Sequence, residues 1–181
     1  MQEIIQGNMA LVTDLSALCD ERTGVRHGTD MDGNTQHWFT IKEPELMEEA
    51  AKAIQAAGGR LAMISGYKVD ENMRQMGFTF GACYHFDVDG VVFNVTARMN
   101  ARHPDVPTIT PWFANADWHE REMQELVGIK VTNQPGRERL FLDPELDRGL
   151  LGKVVPLSVM MNGACSTDLW EHILSTRGGK A

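Results

Sequence analysis

The chain has 181 residues, of which 43% are hydrophobic and 23% are charged, a composition typical of one globular domain with its own core. Its formal net charge of −8 argues against binding to nucleic acid and against direct adhesion to anionic lipid, because both require a basic surface. No run of the sequence approaches the roughly 20 apolar residues of a membrane helix, and the N-terminus lacks the features of a signal peptide. We therefore expect a cytoplasmic chain with no direct membrane insertion.

The first part of the chain predicts a strand followed by a helix. Residues 9–18 carry a mixed signal for a first strand or a turn of helix. The Asp32-Gly33 turn signal precedes a predicted strand at residues 36–41. A helix follows, because Pro44 suits its first position and Gly58-Gly59 suits its end. Its apolar side, which must cover a sheet, comprises Leu46, Met47, Ala50, Ala53, Ile54 and Ala57.

The middle of the chain predicts an antiparallel sheet. Residues 60–69 form a strand in this interpretation, and a polar connection covers residues 70–77. The runs 78–88 and 91–99 are joined by Asp89-Gly90, which is a type I′ hairpin signal. Apolar and polar residues alternate along the second run, so one face should be buried and the other partly solvated. The fold class predicted is α+β, with a mainly antiparallel sheet covered by helices on one face.

A short, densely charged helix is predicted at residues 116–127. Prolines 104, 107 and 111 make a stiff, extended approach to it. Asp117 can cap its start, and Glu120, three residues later, is placed to complete a capping box. Gly128 should end it in a left-handed conformation. His119, Met123, Leu126 and Val127 share one side of this helix, and Trp118, Arg121, Glu122 and Glu125 share another.

Two interpretations fit the charged side of this helix. It can be a solvated surface with an Arg121–Glu125 pair, which would contribute only a few tenths of a kcal/mol. Alternatively, Arg121 and the glutamates are tied to backbone or partner groups, with Trp118 as an anchor. Beyond the helix, residues 139–142 suit a short strand or an extended docking segment, and residues 167–175 suit a terminal helix.

No catalytic or cofactor-binding motif is evident. The six histidines form no His-x-x-x-His pair, and no phosphate-binding loop or nucleophile elbow occurs. Cys19, Cys83 and Cys165 are far apart and include no Cys-x-x-Cys, so they predict neither a disulfide framework nor an iron–sulfur site. His85, Asp87 and Asp89 can share one strand face, but the alternation of a solvated hairpin also explains them. We interpret Cys83 as a small core residue.

The charged helix and its surroundings carry a family resemblance. The matching positions are Ala116, Trp118, Glu120, Arg121, Glu122, Glu125, Leu126, Val127, Gly128, Ile129, Pro135, Arg139 and Leu140. This run resembles the signature of the 30-kDa subunit family of respiratory complex I, also called the C subunit of NADH-quinone oxidoreductase. The chain departs from that signature at Asp117, His119 and Gln134. It also has a different sequence at 147–153, where the family typically ends in Gly-His-Pro-Leu-Arg-Lys-Asp. The same domain occurs in energy-converting [NiFe] hydrogenases and formate hydrogenlyase-type complexes, so both branches stay open.

The resemblance implies a non-catalytic accessory subunit on the cytoplasmic side of a membrane-bound oxidoreductase. Its partners would be a large catalytic subunit, of the 49-kDa or [NiFe] hydrogenase type, and a small iron–sulfur subunit. No cofactor is expected in this chain, because iron–sulfur clusters and the NAD, quinone or NiFe centre would belong to the partners. The implied signature and interface residues are Trp118, Glu120, Arg121, Glu122, Glu125, Gly128, Pro135 and Arg139.

Within a single domain at 1–181, we expect an α+β core at 1–104, the signature helix and docking segment at 105–142, and a C-terminal extension at 143–181. Two alternatives belong to other functional classes. One is a stand-alone small metal-dependent enzyme that uses His85 and Asp87 or the glutamate cluster. The other is a detached regulatory module that keeps the fold outside any complex.

Overall fold

The computed structural model describes residues 2–20, 24–69, 74–75, 77–136, 138–142 and 148–149. The helices defined within these ranges are α1 (Gln2–Ala17), α2 (Met47–Ala56) and α3 (Ala116–Leu126). The strands are β1 (Val25–Thr29), β2 (Thr35–Thr40), β3 (Arg60–Lys68), β4 (Phe80–Val88), β5 (Val91–Met99), β6 (Asp105–Pro107) and β7 (Lys130–Thr132). The predicted terminal helix at 167–175 and most of the predicted connection at 70–77 lie outside the described residues.

The first five strands form one sheet in the order β1-β2-β5-β4-β3. Its neighbours are antiparallel except for β2 and β5, which run parallel. β6 and β7 form a separate parallel pair. The prediction of an α+β fold with a mainly antiparallel sheet is therefore confirmed.

The β4–β5 hairpin has the predicted turn. Asp89 and Gly90 both have positive φ, at 51° and 81°, as a type I′ turn requires. The Asp87 carboxylate accepts the Gly90 N–H at 3.0 Å, and Val88 lies opposite Val91 in the register. This turn fixes which side chains of both strands face the core.

α2 covers one face of the sheet, as its apolar pattern predicts. A short 3₁₀ turn at Pro44–Leu46 leads into it, and its Met47, Ala50, Ala51 and Ile54 are buried. A Cβ on Gly59 would lie 2.5 Å from the Ile54 side chain, so the chain leaves the helix in close contact with it. These residues join Phe39, Tyr84, Phe86, Phe93 and Val95 of the sheet in one hydrophobic core.

The structure completes or corrects the prediction in three places. Residues 9–17 belong to α1, whose Leu11 and Leu15 are buried four residues apart in the same core, and Leu18 follows in a turn. β1, which no sequence pattern predicted, pairs with β2 across a turn where Asp30 Oδ1 accepts the N–H groups of Asp32 and Asn34. Residues 139–142 do not form a strand.

Candidate functional site

The capping box predicted for α3 is wrong. α3 begins at Ala116, and Asn115 precedes it without a side-chain capping bond. Instead, the Asn115 amide donates to the Leu61 carbonyl of the edge strand β3 at 3.0 Å. Glu120 also turns away from the helix start, since its carboxylate accepts the Ile109 N–H at 2.8 Å and the Thr108 hydroxyl at 2.6 Å.

Glu120 is a fully buried carboxylate between α3 and the segment that precedes it. Burial raises its pKa to about 7, because desolvation outweighs the donors from Thr108 and Ile109. Tyr84 of β4 is also fully buried, and its hydroxyl has no hydrogen-bond partner among the described residues. The pKa of Tyr84 is raised well above its usual value, by burial first and then by the charge of Glu120. Two titratable groups therefore share the interior beneath α3.

Glu125 holds a backbone segment beyond the helix. Glu125 is 2% exposed, and its carboxylate accepts three consecutive N–H groups, from Leu140, from Phe141 at 3.3 Å and from Leu142 at 3.1 Å. Burial acts to raise the pKa of Glu125, but the three N–H donors and the charge of Arg139 outweigh it, so the pKa is lowered. An ionised carboxylate is thus the form that binds residues 140–142.

Arg121 holds the same segment one turn earlier on α3. Its guanidinium donates from Nε to the Glu138 carbonyl at 3.2 Å and from Nη2 to the Arg139 carbonyl at 2.9 Å. Its Nη1 reaches Asp117 Oδ2 at 3.5 Å. The solvated Arg121–Glu125 pair is therefore wrong, since Arg121, Glu120 and Glu125 each bind backbone groups.

Two glutamines extend this attachment to the loop after β7. The Gln134 amide donates to the Asp117 carbonyl and carboxylate at 3.2 and 3.0 Å, and its oxygen accepts from Gln124 at 3.3 Å. Gln124 Oε1 in turn accepts the Val131 N–H at 3.3 Å and Arg148 Nη1 at 3.2 Å. Gln124 could not be singled out from the sequence, because it falls outside the matching positions of the family signature.

The remaining signature residues take different positions. Gly128 has φ of 88°, so the predicted left-handed helix end is confirmed. Trp118 is 67% exposed, and Glu122 and Pro135 are also exposed. On the attached segment, Phe141 is 58% exposed. We call α3 together with the attached residues 138–142 the docking element. The charged groups of Arg121 and Glu125 bind backbone groups within this element. The rings of Trp118 and Phe141 lie on its surface.

The strand face around His85 does not assemble a metal centre. Asp87 forms a 2.9 Å ion pair with Arg60, while His85 contacts Ser65 at 3.0 Å and Asn94 at 2.6 Å. Within the described part of the chain, no group of three or more His, Cys, Asp or Glu residues could hold a metal ion. The interpretation of Cys83 as a core residue is wrong, because it is half-buried on the sheet face opposite the core.

The model of the family described as the respiratory-chain NADH dehydrogenase, 30 Kd subunit, matches residues 40–162. The chain belongs to this family. The match includes the whole docking element, so the residues that attach residues 138–142 to α3 lie within the family domain.

Individual relatives match shorter segments. The NADH-quinone oxidoreductase C subunit of Rhodopseudomonas palustris is 43% identical over 53 residues, which is 29% of this chain and 26% of the relative. The corresponding protein of Roseiflexus castenholzii is 34% identical over 59 residues, or 33% of this chain and 34% of the relative. The mitochondrial NADH-ubiquinone oxidoreductase 30.4 kDa subunit of Neurospora crassa is 38% identical over 53 residues, which is 29% of this chain and 19% of the relative. The matched segments thus span about a third or less of these relatives.

Two solved structures share the fold. A trypsin-resistant fragment (1-134) of Nqo5 has a TM-score of 0.53 at 22% identity, covering 72% of this chain and 98% of the fragment. A chain of the membrane-bound sulfane sulfur reductase, an archaeal respiratory membrane complex, has a TM-score of 0.55 at 11% identity. The match covers 76% of this chain and 78% of that chain. Among the helices described for the present chain, none is both long enough and apolar enough to cross a membrane.

Proposed function

We propose that the chain is an accessory subunit of a NADH-quinone oxidoreductase or of a related membrane-bound complex of the energy-converting [NiFe] hydrogenase type. Its role is to organise the large catalytic subunit and the small iron–sulfur subunit for electron transfer. Family membership supports the subunit assignment. The docking element supports the organising role, since its internal contacts give a surface of defined shape.

The attachment of residues 138–142 to α3 carries this proposal. Glu125 binds three successive N–H groups and Arg121 binds two successive carbonyls. An irregular segment held at five backbone groups loses little further freedom when a partner binds it. Trp118 and Phe141 are large and exposed, and aromatic residues of this kind dominate the binding energy of many protein interfaces.

The redox centres belong to the partner subunits in this proposal. The three cysteines of the chain are too few and too scattered for a four-thiolate cluster. The chain therefore positions the two partner subunits, and their iron–sulfur clusters and NAD, quinone or NiFe centre carry the electrons. It sits on the cytoplasmic side of the membrane through its contacts with those subunits.

Replacement of Arg121 tests this function. We expect Arg121→Ala to lower capture of the large catalytic subunit by the tagged full-length chain about tenfold or more, because residues 138 and 139 lose their donors. Far-UV circular dichroism should stay unchanged, since the sheet does not depend on these bonds. Arg102→Ala, which removes an exposed arginine away from the docking element, is the matched control.

Wild-type capture of the large subunit by Arg121→Ala would overturn the organising role. Arg121→Lys refines the test, because a single ammonium group keeps the charge but cannot span the two carbonyls as the guanidinium does. Purification of the tagged chain from native membranes, followed by assays of NADH oxidation and hydrogen evolution, distinguishes the two kinds of complex.

A further inference from the structure

The five-stranded sheet has a second face, which points away from the helices. We call it the outer face, and its central side chains are Trp38 of β2, Asn94 of β5, His85 of β4 and Ser65 of β3. The opposite face meets the helices, since a Cβ on Gly66 would lie 2.5 Å from Met123 of α3. None of the described helices lies on the outer face, where Met63 and Tyr67 are 47% and 41% exposed.

A line of hydrogen bonds crosses the outer face. The Asn94 amide donates to the His37 carbonyl at 3.2 Å, which turns its oxygen towards His85 Nδ1 at 2.6 Å. His85 Nδ1 therefore donates to Asn94, and His85 Nε2 lies 3.0 Å from the Ser65 hydroxyl. These bonds connect all four strands from β2 to β3 across the face. Side chains fixed in this way lose little entropy when another surface covers them.

The charge of the outer face is opposite to that of the chain. The whole chain carries a formal net charge of −8. On the strands that the structure describes, however, the outer face carries Arg26, Arg60 and Arg98 against a single carboxylate, Asp87. Asp87 is already neutralised by its ion pair with Arg60 at 2.9 Å. Among the described strands, the outer face therefore keeps a positive net charge.

The residue types also match those of protein interfaces. Tyrosine, tryptophan, methionine and arginine are enriched at such interfaces, whereas lysine, aspartate and glutamate are depleted. The outer face has Trp38, Met63, Tyr67 and Arg98 and almost no carboxylate. A nucleic acid would need more cationic groups than three arginines, one of which is paired.

We propose that the outer face is a docking surface for a second protein, whose matching surface carries carboxylates around an apolar centre. The apolar centre contacts Met63 and Tyr67, and the carboxylates face Arg98 and Arg26. This surface lies on the opposite side of the sheet from the docking element. The chain would then hold partners on both sides, which goes beyond the contacts assigned to α3.

Site-specific photocrosslinking tests this proposal. p-Benzoylphenylalanine replaces Tyr67 in the tagged full-length chain, expressed in the native host, and the crosslinked peptide is identified by mass spectrometry. Incorporation at Glu48, an exposed position of α2 on the helix side, is the matched control. We expect the Tyr67 position alone to crosslink to an Asp- and Glu-rich segment of one other protein.

Charge reversal completes the test. Arg98→Glu should lower the yield of that crosslink about tenfold, because like charges then meet across the interface, and added salt should lower it in the wild type. Lys52→Glu, on the exposed side of α2, should leave the yield unchanged. If Arg98→Glu alters the circular dichroism spectrum, Arg98→Gln replaces it, with a smaller decrease expected.

Four results would overturn the proposal: no crosslink from position 67, a crosslink to nucleic acid, a crosslink to this same chain, or a crosslink that Arg98 variants do not weaken. Failure here is separable from failure of the proposed function. The function is judged by Arg121→Ala and capture of the large subunit, and neither depends on position 67.

Discussion

The Glu125 carboxylate accepts the Phe141 N–H at 3.3 Å, although the two residues are 16 positions apart. Phe141 itself points to solvent. The buried Glu125 charge therefore sets the position of the exposed Phe141 ring through the backbone. Substitutions at the two residues can be measured separately.

Glu125→Gln should loosen residues 138–142. The neutral amide offers one acceptor oxygen, and its NH₂ group faces N–H donors, so we expect a loss of about 1–3 kcal/mol in the free energy of unfolding. Trypsin should also cleave faster after Arg139. Urea unfolding and limited proteolysis give the two values. Glu122→Gln, at an exposed position of the same helix, should change neither, and equal effects from both variants would refute the role of Glu125.

Glu120 should make the chain less stable as pH rises towards neutral. Its pKa is raised by burial from 4.5 to about 7, so between these values the folded state binds more protons than the unfolded state. The free energy of unfolding must then fall with increasing pH over this range, by up to about 3 kcal/mol from this group, and level off above it. Urea unfolding at several pH values measures the slope.

Glu120→Gln should remove this contribution. The amide oxygen can accept the Ile109 N–H and the amide nitrogen can donate to Thr108, so the variant should be as stable as the wild type, or more stable, above pH 7. A difference between wild type and variant that does not depend on pH would show that Glu120 keeps an ordinary pKa.

Tyr84→Phe should stabilise the chain or leave it unchanged. The Tyr84 hydroxyl is buried without a hydrogen-bond partner among the described residues, and such a group costs free energy when it leaves water. We expect the free energy of unfolding to rise by about 1 kcal/mol or less. A decrease of about 1 kcal/mol or more would mean that the hydroxyl has a partner, such as a buried water beside Glu120.

Gly66→Ala should push α3 away from β3. The new Cβ would lie 2.5 Å from Met123 Cγ, near the start of that side chain, and we expect a loss of about 1–3 kcal/mol. Met123→Ala makes room for it. The double variant should therefore lose less than the sum of the single variants, and strict additivity would show that the two residues do not meet.

Elements with short-range determinants could be predicted from the sequence. The β4–β5 hairpin follows from Asp89-Gly90, and α2 follows from its apolar spacing and Gly58-Gly59, because the contacts that specify them are nearby in the chain. β1 could not be predicted. Its sequence, VRHGT, includes a glycine, and it is a strand because β2 lies beside it.

The site was predictable in its residues more than in its contacts. The resemblance pointed to Arg121 and Glu125, but not to the carbonyls and N–H groups that they bind. For Glu120, the Asp-x-x-Glu spacing predicted a local cap, whereas the longer-range donors from Thr108 and Ile109 bind it in the structure. A local pattern cannot show that a more distant segment offers better partners.

The parallel pairing of β2 with β5 sets an order for the synthesis of this protein. Gln36 pairs with Val92, so the sheet cannot close until a ribosome has released nearly a hundred residues. α3 and its attached segment emerge only after that. The docking element is therefore completed only after all five strands of the sheet have emerged, so a half-made chain cannot present it.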